Sequence, residues 1–214
     1  MTNQDRIPMV GILIFNDVEV LDFCGPFEVF SVARPTEIQK QGDEFKLFNV
    51  LTIAEEETII SCRGGLLVKP HTTIENHPPL DLLVIPGGQG TRRESHNQRL
   101  LDWIVQQDQR TQLTTSVCTG AFLLAERGLL DGHRATTHWN SVEWMRSTYP
   151  AVDMVADARV VDEGHIITSA GISAGIDMSL HVVSRLYGTN TAEWTARRME
   201  YDWTARGQVH MQHT

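Results

Sequence analysis

Cysteine is scarce in this chain and does not form a disulfide framework. The 214 residues include three cysteines, Cys24, Cys62 and Cys118, an odd number without regular spacing. Free thiols in a reducing compartment fit this pattern, so we expect a cytoplasmic protein. The nine histidines are scattered, and no Cys-x-x-Cys or His-Glu-x-x-His spacing occurs. We therefore expect neither a metal site nor a cofactor.

Positive charge and long apolar runs are lacking as well. The chain has 18 Lys and Arg against 27 Asp and Glu, a net charge of −9. This balance argues against nucleic acid and anionic membranes as partners, because both require clustered positive charge. No apolar run approaches the roughly 20 residues that span a bilayer. Residues 1–6 also lack the basic-then-apolar order of a signal peptide.

What the sequence does contain is an alternation of strand and helix patterns. Strands of a parallel sheet are predicted at 9–15, 46–53, 81–85 and 112–117. Hairpins are predicted at 58–68 and 159–168, and a further short strand at 134–139. Helices are predicted at 22–33, 97–110, 120–128, 142–145, 173–186 and 192–201. Such alternation predicts an α/β fold with a mostly parallel central sheet and helices on both faces.

Three features follow the ends of predicted strands. Asp22 comes after the first strand, Gly87-Gly88 after the strand at 81–85, and Cys118 after the strand at 112–117. In open parallel sheets, ligands bind beyond the carboxyl ends of the strands. We therefore expect these residues to meet at one edge of the sheet.

Cys118 lies where a strand is predicted to end and a helix to begin. Ser116 and Gly120, two residues before and after it, are small enough for the tight turn of a nucleophile elbow. The following helix would direct free N–H groups and its positive dipole end at the sulfur, which favours a thiolate. Nearby backbone N–H groups could also stabilise developing negative charge. The alternative is an inert cysteine packed between strand and helix.

Asp22 also has two interpretations. It is placed to act as the N-cap of the predicted helix. Beside a thiolate, its carboxyl group would instead donate and accept protons, with a pKa raised by the neighbouring charge. Gly87-Gly88 is either a simple turn or a place where backbone amides approach a ligand closely.

The remaining candidates have weaker signals. His138 and Trp139 end a predicted strand, where they either line a pocket or pack as a satisfied pair. Cys24 follows Asp22 on an apolar helix start, which favours core packing. Cys62, in the predicted hairpin, has no evident function.

Four segments resemble the DJ-1/PfpI superfamily, in the order found there. They are Ile85-Pro86-Gly87-Gly88, Ser116-Val117-Cys118-Thr119-Gly120, Ala135-Thr136-Thr137-His138-Trp139 and Gly171-Ile172-Ser173-Ala174-Gly175-Ile176-Asp177. The resemblance covers about residues 8–201. Leu21-Asp22 with Gly25-Pro26 makes the chain most similar to the isocyanide hydratase branch.

The resemblance implies a flavodoxin-like three-layer α/β sandwich, a single domain over 1–214 that is usually homodimeric. Its core would be 8–201, and 202–214 would be a mobile tail. The partner would be a small molecule, an isocyanide, to which water is added to give an N-substituted formamide through a Cys118 thioimidate. By this resemblance Cys118 is the nucleophile of a lyase and Asp22 its acid partner. Backbone support would come from Gly88 and Thr119, with Gly87, His138 and Trp139 lining the pocket.

Other activities remain open on the sequence. Protease-like members carry histidine directly after the cysteine, where this chain has Thr119. Glyoxalase- or deglycase-like members usually pair the cysteine with a glutamate and a histidine. The segments also resemble the sensor domain of AraC-type regulators, although no helix-turn-helix module is expected after Tyr201. A redox-responsive protein would use Cys118 by oxidation instead of turnover.

Overall fold

A computed structural model describes residues 6–35, 45–204 and 209–211. The strands are β1 (Met9–Leu13), β2 (Asn49–Ala54), β3 (Ile60–Ser61), β4 (Leu67–Val68), β5 (Thr72–Thr73), β6 (Leu82–Ile85), β7 (Leu113–Val117), β8 (Arg134–Ala135), β9 (Asp153–Met154), β10 (Val160–Asp162), β11 (Ile166–Ser169) and β12 (Val209–Met211). The α-helices are α1 (Val20–Val32), α2 (Thr91–Glu94), α3 (Gln98–Asp108), α4 (Ala121–Ala125), α5 (Val142–Thr148), α6 (Ala174–Tyr187) and α7 (Thr189–Arg198).

An eight-stranded sheet forms the centre of the fold. Its strand order is β12-β10-β11-β7-β6-β1-β2-β5, and every neighbouring pair is parallel except β10 with β11. The mostly parallel sheet predicted from the sequence is confirmed. β7, β6 and β1 are neighbours at its middle, so the segments that follow their carboxyl ends share one edge.

Burial explains why the central strands read as continuous apolar runs. All four residues of β6 have no exposed surface, because helices cover both faces of the sheet. Helices α1, α6 and α7 pack against one another in one layer. In α3, Leu100, Leu101 and Ile104 form the buried face, which confirms the amphipathic pattern. Within the described ranges, no helix is both long enough and apolar enough to cross a membrane.

Both predicted hairpins are present. β3 pairs with β4, and β10 with β11, each antiparallel. The hairpin at β10 and β11 turns through Gly164, whose φ of 90° is in the left-handed region that favours glycine. The strand predicted at 134–139 is wrong in extent. Only β8 forms, and it pairs with β9 outside the main sheet.

Several helix bounds and the predicted tail need correction. α1 begins at Val20, two residues before the predicted start, and α4 ends three residues before the predicted 128. α5 extends three residues past the predicted 145, and α7 begins and ends three residues before the predicted 192–201. The mobile tail predicted at 202–214 is wrong for Val209–Met211, which forms β12 beside β10. Positions 205–208 and 212–214 lie outside the described residues.

Candidate active site

Cys118 stands at a sharp corner between β7 and α4. β7 is buried along its length, and the chain then makes a single 3-10 turn over Cys118–Gly120. The φ of Cys118 is 56°, in the left-handed region that residues with a Cβ seldom adopt. A Cβ on Gly120 would lie 2.1 Å from the carbonyl oxygen of Ile85, so this position requires glycine. The corner thus has the tight turn predicted for a nucleophile elbow.

Hydrogen bonds hold the strained backbone of Cys118 in place. The buried Thr137 hydroxyl donates to the Cys118 carbonyl oxygen at 2.8 Å, and the Cys118 N–H donates to the Ala170 carbonyl at 3.3 Å. Left-handed strain of this kind costs on the order of 1–3 kcal/mol and persists only where its surroundings enforce it. Such enforced strain is concentrated at functional sites.

Asp22 lies in the first turn of α1 and does not cap it. The N-cap is Glu19, which makes no side-chain capping bond, so the N-cap interpretation of Asp22 is wrong. The Asp22 side chain has no exposed surface. The Gly87 N–H donates to its Oδ2 at 3.0 Å, and Oδ1 has no hydrogen-bond partner among the described residues. A buried carboxyl oxygen without a hydrogen-bond partner is rare in folded proteins.

Gly87, Gly88 and Thr119 join the two side chains in one compact cluster. A Cβ on Gly87 would lie 2.5 Å from the Thr119 nitrogen and 2.9 Å from Asp22 Oδ2. Gly88 has a φ of 130°, and its N–H donates to Thr119 Oγ1 at 3.0 Å. The Gly88 N–H was expected to stabilise negative charge during the reaction, but it could do so only after its hydrogen bond to Thr119 broke. The structure gives Gly88 a supporting contact with Thr119.

The electrostatics differ from the sequence-based expectation for the thiol. Burial raises the pKa of Asp22 to about 7, and the charge of Glu19 adds to this, while the Gly87 N–H opposes it. Burial and then the Asp22 charge raise the pKa of Cys118, against the lowering effect of hydrogen bonds from Thr119. The thiolate predicted from the helix dipole is therefore not favoured, and α4 has only five residues. Burial thus favours the protonated form of both groups, the carboxyl of Asp22 and the thiol of Cys118.

His138 and Trp139 have different positions. His138 lines the cavity beside Cys118, and its Nδ1 accepts the Asn140 N–H at 3.3 Å. A Cβ on Gly171 would lie 2.7 Å from both Cys118 Sγ and His138 Cδ2, so these side chains approach each other across a glycine. Trp139 is 75% exposed and is not among the cavity-lining residues. The prediction that Trp139 lines the pocket is therefore wrong.

A cavity of about 350 Å³ opens over Cys118. His138 lines it as predicted, and so do Gly88 and Thr119, which were expected to give backbone support. Gly87, predicted to line the pocket, is not among the lining residues, and neither is Asp22. A second cavity, beside Phe15, is smaller at about 140 Å³ and touches neither Cys118 nor Asp22. The larger cavity is the space in which a small molecule would meet the thiol.

Several lining residues have no sequence signal that singles them out. Arg63 lies in the β3–β4 hairpin. The Arg63 N–H donates to the Val18 carbonyl at 2.9 Å and so holds the hairpin against the sheet edge. Gly171, which is not itself a lining residue, leaves space beside the thiol because a Cβ there would lie 2.7 Å from Cys118 Sγ. The other unpredicted lining residues are Glu19, Gln89, Arg92, Asn140, Ser141 and Ile172.

The other two cysteines have ordinary surroundings. Cys24 is half-buried against the core and Cys62 is buried, and both are free thiols. Burial raises the pKa of each. The core-packing prediction for Cys24 is confirmed. In the part of the chain that the structure describes, no three His, Cys, Asp or Glu side chains are grouped to hold a metal ion.

Comparison with known proteins identifies the family to which this chain belongs. A model of the DJ-1/PfpI family matches residues 9–185. The chain belongs to the DJ-1/PfpI family. Among solved structures of this family, a ThiJ/PfpI family protein from Pseudomonas syringae has a TM-score of 0.80 and 27% identity, covering 94% of this chain and 78% of that one. Drosophila melanogaster DJ-1beta has the same fold at a TM-score of 0.77, covering 92% of this chain and 100% of that one with 18% identity.

The relatives with assigned names include an enzyme and a transcriptional regulator. An isonitrile hydratase from Pseudomonas putida is 34% identical over 192 residues, which is 90% of this chain and 78% of that protein. The HTH-type transcriptional regulator GbdR from Pseudomonas aeruginosa is 26% identical over 97% of this chain. The chain spans 54% of the length of that regulator.

Proposed function

We propose that this protein is a cysteine-dependent isocyanide hydratase, a lyase that converts an isocyanide into an N-substituted formamide. The observation that carries the proposal is the placement of Asp22, a buried carboxyl with one unpartnered oxygen, behind the strained Cys118. The likeness to an isonitrile hydratase over 90% of the chain supports the same reaction. The isocyano group is a slender rod with a terminal carbon, so it can reach a thiol at the base of a cavity.

In the first step, Cys118 adds to the terminal carbon. As the C–S bond forms, the thiol proton passes to the Asp22 carboxylate, and Asp22 then protonates the same carbon. The product is a thioimidate, R–N=CH–S–Cys118, and no proton is gained or lost. Because the pKa of Asp22 is raised to about 7, its carboxyl group can accept and release this proton near neutral pH.

In the second step, water attacks the thioimidate carbon. The Asp22 carboxylate accepts a proton from the water and delivers a proton to the nitrogen. The C–S bond then breaks, the formamide R–NH–CHO leaves, and the hydroxyl proton of the intermediate returns to the sulfur through Asp22. The Thr119 N–H and hydroxyl, whose hydrogen bonds lower the pKa of Cys118, stabilise negative charge on the departing sulfur.

Formation of formamide from a simple alkyl isocyanide tests the proposal. We expect wild-type protein to release the formamide and Cys118→Ala to release none. Cys24→Ala removes the half-buried thiol of α1 and is the matched control, so it should retain turnover. Retained turnover in Cys118→Ala would exclude covalent catalysis, and absence of formamide with the wild type from neutral and charged isocyanides alike would exclude the hydratase.

A ligand sensor is the second candidate, supported by the likeness to GbdR over 97% of the chain. Such a protein would bind its ligand above Cys118 without turnover. Calorimetry with an isocyanide and with methylglyoxal, combined with product analysis, separates the alternatives. Binding without any product would favour the sensor, and lactate from methylglyoxal would favour a glyoxalase-like enzyme.

We also propose that residues 8–201 form one domain that works as a homodimer in the cytoplasm. The free thiols at Cys24, Cys62 and Cys118 suit a reducing compartment. Sedimentation velocity of the full chain at micromolar concentration should give a particle of about twice the chain mass of 24.1 kDa. A monomer at this concentration would contradict the assembly without affecting the chemistry.

A further inference from the structure

The cavity over Cys118 has a polar surface. Among the described residues that line it, Ile172 contributes the one aliphatic side chain, while Gln89, Asn140 and Ser141 contribute amide and hydroxyl groups. Ligand pockets are usually lined by apolar and aromatic side chains with a few polar groups. This surface would leave a large hydrocarbon substituent in contact with groups that require hydrogen-bond partners.

The charged groups around the cavity do not balance. Arg63, Arg92 and Glu19 all line it. Glu19 forms an ion pair with Arg63, whose guanidinium lies 2.9 Å from Glu19 Oε2. No carboxylate of the described ranges forms an ion pair with Arg92, so one positive charge at the mouth is left unmatched. The chain as a whole has a net charge of −9, so this local excess of positive charge is opposite in sign to the rest of the protein.

Arg92 is connected to the reactive corner through its neighbour in sequence. The Thr91 hydroxyl lies 3.1 Å from Thr119 Oγ1 and 2.8 Å from the Gly88 carbonyl oxygen. Thr91 has no exposed surface, and it fixes the start of α2 against the turn at Cys118. The backbone of Arg92 therefore has a fixed position relative to the thiol, while its exposed side chain can adjust to a ligand.

We propose that the substrate carries a carboxylate, which Arg92 binds at the cavity mouth while the isocyano carbon reaches Cys118. The inference rests on the proposed hydratase function and specifies its substrate class as isocyano carboxylic acids. A guanidinium presents two parallel N–H donors that match a carboxylate. The Gln89 side-chain amide lines the same cavity and offers a further donor.

Isocyanoacetate and its methyl ester provide a matched pair of substrates. They share the reacting group and differ in one negative charge. We expect the wild type to prefer the carboxylate by about tenfold in kcat/KM, as one charge-assisted hydrogen bond at an exposed site allows. In Arg92→Gln this preference should fall to about one through KM. Arg99→Gln removes the same charge from an exposed arginine that pairs with Glu55 and Glu75 instead, and it should keep the wild-type preference.

A binding measurement separates failure of this inference from failure of the hydratase. N-formylglycine and its methyl ester, the products of the two reactions, are titrated into Cys118→Ala, where no turnover is needed. Tighter binding of N-formylglycine that is lost on adding Arg92→Gln supports the carboxylate site even if no isocyanide is hydrated. Equal binding of both compounds overturns the inference, and so does hydration of the ester as efficiently as the carboxylate by the wild type.

Discussion

Asp22 and Asp162 are both buried aspartates, but their surroundings treat the negative charge in opposite ways. Asp22 is 0% exposed and Asp162 is 7% exposed. Burial by itself raises the pKa of each, because it removes the carboxylate from water. At Asp22 this effect prevails and the pKa rises to about 7, whereas at Asp162 the pKa is lowered.

The difference lies in the partners. His181 Nε2 is 2.7 Å from one oxygen of Asp162, the Arg185 guanidinium is 3.0 Å from the other, and the Gly164 N–H donates at 2.9 Å. Asp22 receives a single N–H, from Gly87, and faces Cys118 in place of a cation. The ionised Asp162 is thus stabilised and joins β10 to α6. The ionised Asp22 is not stabilised in this way, at the position where the proposed reaction transfers a proton.

The largest expected effect is on turnover. Asp22→Asn keeps the shape of the side chain but cannot exchange a proton, so kcat/KM should fall by about 10²–10⁴-fold. Asp162→Asn, the matched control, alters an aspartate that is not among the residues around the cavity, and its folded fraction should retain wild-type kcat/KM. Formamide formation per mole of folded protein measures both. Equal losses in the two variants would remove the functional distinction between these carboxyl groups.

The second effect is on stability at pH 7. Asp162→Asn leaves His181 and Arg185 without their carboxylate, and we expect a loss of about 2–4 kcal/mol in the free energy of unfolding. Urea unfolding followed by tryptophan fluorescence measures this loss. A variant as stable as the wild type would show that the cluster contributes no net stabilisation.

The third effect is the pH dependence of stability at Asp22, and it has the opposite sign. The pKa of Asp22 is above its ordinary value of 3.8, so the folded state binds more protons than the unfolded state between about pH 4 and 7. Its contribution to stability therefore falls as pH rises through this window. For Asp162, with a lowered pKa, the contribution is present at neutral pH and is lost on acidification.

Asp22→Asn isolates this term. The variant should match the wild type near pH 4 and exceed it in unfolding free energy by up to about 4 kcal/mol at pH 8, the equivalent of a shift of roughly three pKa units. Urea unfolding of both proteins across pH 4–8 tests the difference. A gap that stays constant with pH would contradict the raised pKa.

The sequence predicted the fold well where burial is continuous. The run at 81–85 became β6 and that at 112–117 became β7, since central parallel strands are covered on both faces and need apolar residues in succession. The tail was mispredicted because β12 gains its stability from pairing with β10, which is distant in sequence. Strand pairing of that kind leaves little local pattern to detect.

For the site, the sequence pointed to the two groups of the proposed chemistry and to the raised pKa of Asp22, but not to burial as its main cause. Cys118 and Asp22 were found because both follow strands whose carboxyl ends meet. The effect of burial on the thiol had no sequence signal either: burial and the Asp22 charge raise the pKa of Cys118 against the hydrogen bonds from Thr119. Arg92 gave no signal, because an exposed arginine becomes informative only when its neighbours and their ion pairs are known.

The most direct test of the account is the pKa of the Asp22 carboxyl group itself. Carboxyl carbons of ¹³C-labelled protein can be followed by NMR from pH 4 to 9, with Asp22→Asn used to assign the resonance. We predict one aspartate resonance that titrates near pH 7 in the wild type and is absent from Asp22→Asn. If every aspartate completes its titration below pH 5, Asp22 is an ordinary carboxylate and the proton transfer assigned to it is wrong.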